Sequence, residues 1–277
     1  MNTIRPASGR SAFTIIELLV VISIIGILAG MLLPTLSGAR TSAHDVRCKS
    51  NLKQIGAAFE MYLNANEGYY PCVRWGNGAE LRWPETLAPY IGGSVEDPTR
   101  GSEFATGNKF TNNVFKCPAI GSSAAQATSF PRGDYARTGS YGYNWMTFGP
   151  PHPTTNNFGR KYPVRSTQIA APSRTILVAD SFGQKTLGAD PHAFTLDPPE
   201  MLCGTGWGQR RGLGTEPCPV DPRHDGKFNA VFADGHVESL TMQEAGYSSD
   251  DPTGVGTTGD PTLWNGYGDP NITRFTQ

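Results

Sequence analysis

Residues 13–33, FTIIELLVVISIIGILAGMLL, form an almost unbroken apolar run that carries a carboxylate, Glu17, near its start. As a helix rising 1.5 Å per residue, the run is about 31 Å long, enough to cross the hydrocarbon core of a bilayer. A charged side chain at that depth costs roughly 2.5–3.5 kcal/mol on insertion scales, so it is kept where something pairs with it. Arg5 and Arg10 precede the run with no acidic residue before Glu17. That bias keeps the start of the run on the cytoplasmic side. A cleaved secretory signal fits less well. The stretch Leu33-Pro34-Thr35-Leu36-Ser37-Gly38-Ala39 is a weak small-x-small cleavage site, and secretory cores tolerate charge poorly.

After Pro34 the chain turns polar but keeps helical periodicity. Cys48, Leu52, Ile55, Phe59 and Tyr62 recur at spacings of four and three, one apolar stripe with Arg47, Lys49, Lys53 and Glu60 outside it. The helix is expected to run to about Asn64, where Asn64-Ala65-Asn66-Glu67-Gly68 supplies stop chemistry. One long helix therefore has an all-apolar first half for lipid and neighbours. Its amphipathic second half suits docking on its own domain.

The remainder is long enough for one domain of about two hundred residues. The net charge of −1 gives no electrostatic case for nucleic acid. With 33 glycines and 22 prolines, turns and loops are expected over a helical body. Val114–Pro118 reads as a short strand, Ser140–Trp145 alternates aromatics with small residues, and Thr175–Ser181 has the character of a central strand. Gly183–Pro222 reads as surface loop. Lys227–Glu238 holds two strand-like runs joined by Asp234-Gly235, a hairpin signature in which both turn residues accept positive φ; Phe228, Ala230 and Phe232 share one face.

Five cysteines are present: Cys48, Cys72, Cys117, Cys203 and Cys218. Cys203 and Cys218 flank a Gly-rich loop and make the preferred bridge, while Cys48 has either Cys72 or Cys117 as partner. No C-x-x-C pair occurs, so no structural zinc is expected. His224, Asp225, Asp234 and His236 cluster in sequence but read chiefly as turn and strand-end residues; Asp180 is a candidate partner for His224. Asp250, Asp251, Asp260 and Asp269 lie in an oxygen-rich stretch without EF-hand spacing, which reads as solvated tail, so no cofactor, calcium included, is assigned. No nucleophile elbow, H-E-x-x-H or phosphate loop occurs, and no enzymatic activity is expected.

Ser11-Ala12-Phe13-Thr14-Ile15-Ile16-Glu17-Leu18 resembles the processing site of type IV pilins and type II secretion pseudopilins. That resemblance implies a cut between Ala12 and Phe13 by a prepilin peptidase, N-methylation of Phe13, and a Glu17 that neutralises the Phe13 amine of a neighbouring subunit. Ala12 departs from the glycine usual at its position. Pro34 matches the family's helix-bending proline. His224, nine residues and then Asp234-Gly235 resemble the C-terminal H-X9-DG motif of a pilin-like family of planctomycete and verrucomicrobial genomes, its role unassigned. The segments CKSNLKQ, SYGYNW and ILVADS are similar to that family too.

The implied organisation is a cytoplasmic leader (1–12), a transmembrane assembly helix (13–34), its amphipathic continuation (35–66), a β-rich globular domain (67–240) and a Gly/Pro/Asp-rich tail (241–277). The expected fold is α+β, a long N-terminal helix packed on an antiparallel sheet with large loop insertions. The implied function is a structural subunit, inserted in the inner membrane with its globular domain periplasmic and assembling with like subunits into a periplasmic or cell-surface filament. Prepilin peptidase and assembly machinery are the implied partners. Two alternatives remain: an anchored binding module using an aromatic surface (Trp75, Trp83, Trp145, Trp207, Trp264), and an exported hydrolase using His224 with Asp180 or Asp234.

Overall fold

The computed structural model describes residues 15–72, 74–75, 81–92, 113–119, 141–148, 164–181, 196, 198–199, 220–248, 259–260 and 262–266. They fall into two compact units, Met1–Ala43 and His44–Gln277. Helix α1 spans Ile15–Ala65, 51 residues, and passes through Pro34 without a break in helical structure. In the first unit, Ile15–Leu32 is long and apolar enough to cross a membrane, and none of it is buried.

In the second unit the periodic stripe is the docking face. Cys48, Leu52, Ile55 and Phe59 are buried with Tyr141, Tyr143, Leu177, Val178 and Val231 in one core cluster. Fully burying side chains of this size contributes about 1.5–3 kcal/mol each. The helix stops in a Schellman-type turn: Gly68 N–H donates to Leu63 O at 2.8 Å. Glu67, not a glycine, takes the left-handed position at φ 53°.

Strands β1 (Arg74–Trp75) and β2 (Leu81–Arg82) form a small antiparallel ladder. Helix α2 (Trp83–Leu87) follows, where no helix is expected from sequence, and buries Trp83 and Leu87. The main sheet is antiparallel, ordered β3 (Tyr141–Tyr143), β4 (Ile176–Asp180), β5 (Phe228–Phe232) and β6 (Val237–Leu240). Between Ile176 and Val178 strand β4 carries one residue more than β5. This bulge puts Leu177 and Val178 in the helix-side core and Ile176 and Ala179 in the other. Phe228, Ala230 and Phe232 join that second core together with Leu196, Val220, Met242, Tyr247 and Trp264.

Several expectations change here. Val114–Pro118 is not a strand. Asn113–Phe115 is a 3-10 turn, and Val114, Phe115 and Cys117 all point inward. A straight strand alternates its faces and cannot do that. Leu196 and Val220 are buried inside the stretch expected as surface loop. The solvated tail does not hold for residues 241–248, 259–260 and 262–266. Trp264 is 2% exposed and its Nε1–H donates to Ala245 O at 2.8 Å. The sheet needs a cover on its second face, and this segment provides it.

The Asp234-Gly235 hairpin forms with different geometry from that expected. Phe232 and His236 close a three-residue loop, Gly235 N–H donating to Phe232 O at 2.9 Å, and only Gly235 has positive φ. This is the turn-plus-αL-glycine solution. The two-residue turn with both φ positive belongs to the other Asp-Gly pair, Asp225 (56°) and Gly226 (77°). It joins His224 to Lys227.

Candidate functional site

Two regions carry possible function. The first is the start of α1. Glu17 lies in its first turn, solvent-exposed, beside Ile15 and Ile16 at 80% and 75% exposure. Ala12 and Phe13 lie outside the described residues. Pro34 sits within α1; lacking an N–H, it removes one donor from the helical ladder there.

The second is a buried polar cluster under the second half of α1. Strand alternation past the bulge sends Asp180 to the helix side of β4, and Asn229 takes the same side of β5. The positive-φ turn at Asp225-Gly226 sets His224 just before β5. His224 Nε2 lies 3.3 Å from Asp180 Oδ2, and Nδ1 lies 3.6 Å from Asp45 Oδ1. Asn229 ties both carboxylates: its backbone N–H donates to Asp180 Oδ2 at 2.8 Å and its Nδ2 to Asp45 Oδ1 at 2.8 Å. Lys49 pairs with Asp45 at 2.8 Å. Burial raises the Asp45 pKa, but the bonds from Lys49 and Asn229 outweigh it and leave the carboxyl below its ordinary value. Asp221, beside Arg223, is pushed up by burial, which the Arg223 charge only partly offsets.

A disulfide joins Cys48 to Cys117 across this cluster, so of the two partners left open for Cys48 it is Cys117 that bonds, and Cys72 is a buried free thiol. Cys203 and Cys218 lie outside the described residues. Asn51, one turn beyond Cys48, donates to Lys116 O at 3.0 Å, holding the Cys117 turn against the helix.

The structure therefore separates the residues of the H-X9-DG motif. Asp234 pairs with His236, Oδ1 to Nδ1 at 2.5 Å, at the exposed turn. His224 lies at the opposite end of β5. The reading of His224 as a turn residue with local bonds is corrected: its side chain is 2% exposed and faces residues distant in sequence. Both ends of the motif meet α1, His224 at Asp45 and Gly235 through its carbonyl, which accepts from Lys53 Nζ at 2.9 Å. Asp45, Asn51 and Asn229 are not evident as site residues in the sequence. Asp45 was findable, because it lies three residues before Cys48 and extends the stripe backwards.

Convergence of one imidazole with two carboxylates is a catalytic pattern, but Asp180 is fully buried and His224 nearly so. The aromatic surface fails at two of its five members. Trp83 stacks on Phe59 and lies tilted against Tyr143, and Trp264 meets Tyr247 edge-on in the second core. The side chains of Trp75, Trp145 and Trp207 lie outside those described.

The family model for the prokaryotic N-terminal methylation motif matches residues 8–33. The chain is similar to pilin-like proteins in its N-terminal segment, and its described residues hold an apolar helix and a four-stranded antiparallel sheet, an α+β fold. It is 28% identical over 145 residues to type II secretion system core protein G of Vibrio cholerae, covering 49% of this chain and 96% of that protein. It is 36% identical over 75 residues to type II secretion system core protein G of Pseudomonas aeruginosa, 27% of this chain and 52% of that one. It is 46% identical over 65 residues to the type IV wide pilus major component of Thermus thermophilus, 24% of this chain and 47% of that one. The chain thus spans about half the length of the last two. No solved structure matches it.

Proposed function

We propose that this chain is a structural subunit of a type IV pilus-like filament or of a type II secretion pseudopilus. It waits in the inner membrane with its leader cytoplasmic and its globular domain periplasmic. A prepilin peptidase cuts between Ala12 and Phe13, and α1 then leaves the bilayer for a bundle of like helices. One observation carries this reading: among the described residues none of the 18 residues Ile15–Leu32 is buried, yet they hold a carboxylate in the first turn. A surface of that kind needs partners from outside the chain, and the carboxylate calls for a cation among them. The methylated amine of a neighbour's Phe13 supplies it. Pro34 gives α1 a place to bend as it packs.

His224, Asp234 and Gly235 serve the same design by fixing α1 on the sheet. His224 engages Asp45, Gly235 receives Lys53, and the Asp234–His236 pair shapes the turn that offers the Gly235 carbonyl.

Mass spectrometry of the mature N-terminus tests the reading, with methylated Phe13 expected. Glu17→Ala is expected to insert in the membrane and fail to assemble. An uncut Met1 terminus with a monomeric detergent extract would sink the proposal.

A further inference from the structure

Outside the assembly surface, Cys48, Cys117, Asp180 and His224 bring one donor atom each within 4.8 Å of one another, and all four residues are buried. We propose that, once the Cys48–Cys117 bond is reduced, this cluster binds a tetrahedral zinc-type metal ion through both sulfurs, His224 Nε2 and an Asp180 carboxylate oxygen. The chain then has two exclusive ways of fastening α1 to the Cys117 turn, a disulfide and a metal.

The spacing carries the argument. With Zn–S near 2.3 Å and Zn–N or Zn–O near 2.0–2.1 Å, a tetrahedral site has edges of about 3.5 Å between sulfur and nitrogen and about 3.3 Å between nitrogen and oxygen. Cys117 Sγ lies 3.6 Å from His224 Nε2, and that nitrogen lies 3.3 Å from Asp180 Oδ2. Two edges of the tetrahedron already stand in the oxidised chain. The sulfur–sulfur edge must open, to about 3.7 Å, and the three remaining edges lie within 4.8 Å. Side-chain rotation allows this at a Cα separation of 5.4 Å.

The surroundings suit a metal as well. His224 Nδ1 faces Asp45 Oδ1 at 3.6 Å without a hydrogen bond among the described residues, and a metal on Nε2 would favour closing that gap, because a metal-bound imidazole ordinarily donates its other N–H to a carboxylate. Asp45 is itself fixed by Lys49 and Asn229. Asn229 N–H orients Asp180, whose Oδ1 is buried without a hydrogen bond among the described residues. Asp45 keeps 25% of its side chain exposed. Two thiolates and a carboxylate against a divalent ion leave one negative charge, and soft sulfur ligands favour zinc over calcium or magnesium. The step balances simply. A dithiol reductant passes two electrons and two protons to the S–S bond and closes to its own disulfide, and metal binding then releases the two thiol protons.

Cobalt titration of the full chain in detergent tests this. The chain is first reduced without oxygen by a trialkylphosphine, which leaves as its oxide with oxygen from water. One Co²⁺ per chain is expected, with thiolate-to-cobalt charge-transfer and intense tetrahedral ligand-field bands that Zn²⁺ abolishes. The oxidised chain should show neither. Cys117→Ser should lose the charge-transfer bands, but it also removes the bridge. His224→Gln is therefore measured beside it, with unchanged far-ultraviolet dichroism and affinity weaker by about tenfold or more. Reduced wild-type chain without those bands, or His224→Gln binding as tightly as wild type, overturns the proposal.

Discussion

Ile15–Leu32 and Asp45–Leu63 belong to one helix, yet they are stabilised by different things. In the first stretch every residue is exposed, and large aliphatic side chains such as Ile24 and Leu28 are about half uncovered. In the second, apolar residues return every three or four positions and vanish into the core. The first half keeps its helix because lipid or a neighbour would leave no other use for its backbone groups. The second keeps it because the sheet is beneath. Burial against the chain itself therefore tells which half belongs to the fold and which to an encounter.

Breaking the covalent tie should show the largest contrast. Cys48→Ser, assayed with chelator present so that no metal substitutes, removes a bridge spanning 69 residues. It should lower stability by about 4 kcal/mol in the chain-entropy model. Urea unfolding of the full chain in detergent reads this, and an unchanged midpoint would mean the bridge adds nothing to the second half. Phe59→Ala should cost about 3–4 kcal/mol, since Phe59 is 1% exposed and its ring stacks with Trp83 and Tyr143. Leu19→Ala, at 57% exposure, should stay within about 0.5 kcal/mol by the same assay. Equal losses at the two positions would erase the distinction.

Glycine sharpens it further. A Cβ added at Gly56 would meet Val231 Cγ2 at 2.9 Å, whereas one at Gly30 would meet nothing within 4 Å. Gly56→Ala should cost about 1 kcal/mol net, crowding outweighing the gain in helix propensity. Gly30→Ala should leave unfolding unchanged or slightly raised. Gly30→Ala weakening assembly alone would locate close approach of a second helix.

The smallest effect belongs to the hairpin tip. Burial raises the Asp234 pKa, but the hydrogen bonds and charge of His236 together outweigh it and leave the carboxyl below its ordinary value. A folded pKa below the unfolded one stabilises the fold above the unfolded pKa. That stability is lost as pH falls through the folded value. At this exposed site it amounts to about a few tenths of a kcal/mol. Asp234→Asn should flatten the acid limb of stability between pH 5 and 3 by that amount, and an acid limb identical to wild type would remove the pair from the account.

The sequence exposes what is periodic. Cys48 through Phe59 and the run at Ile176–Asp180 announce a helix face and a central strand, because burial imposes a repeat on residues close in the chain. The polar cluster announces nothing of the kind. His224 stands beside Asp225, Asp234 and His236 in sequence, but its partners Asp180 and Asp45 come from another strand and from the helix. Two Asp-Gly pairs lie nine residues apart, and composition alone does not say which takes both φ positive. The loop-like stretches hid Leu196, Val220 and Trp264 for a related reason. Each lies in an aperiodic segment, covering a sheet face whose need for cover shows only once the strands are paired.

Among the described residues, Cys48 is also the first buried apolar one met when α1 is followed from its N-terminal end. Suppose tension is applied along that end, as in a subunit pulled by its neighbours. The pull arrives at a covalent link before it reaches Leu52, Ile55 or Phe59. Dispersion contacts yield one at a time under such a force, but a sulfur–sulfur bond passes it straight into the Cys117 turn. The aromatic contacts behind that link are spared being peeled open in sequence.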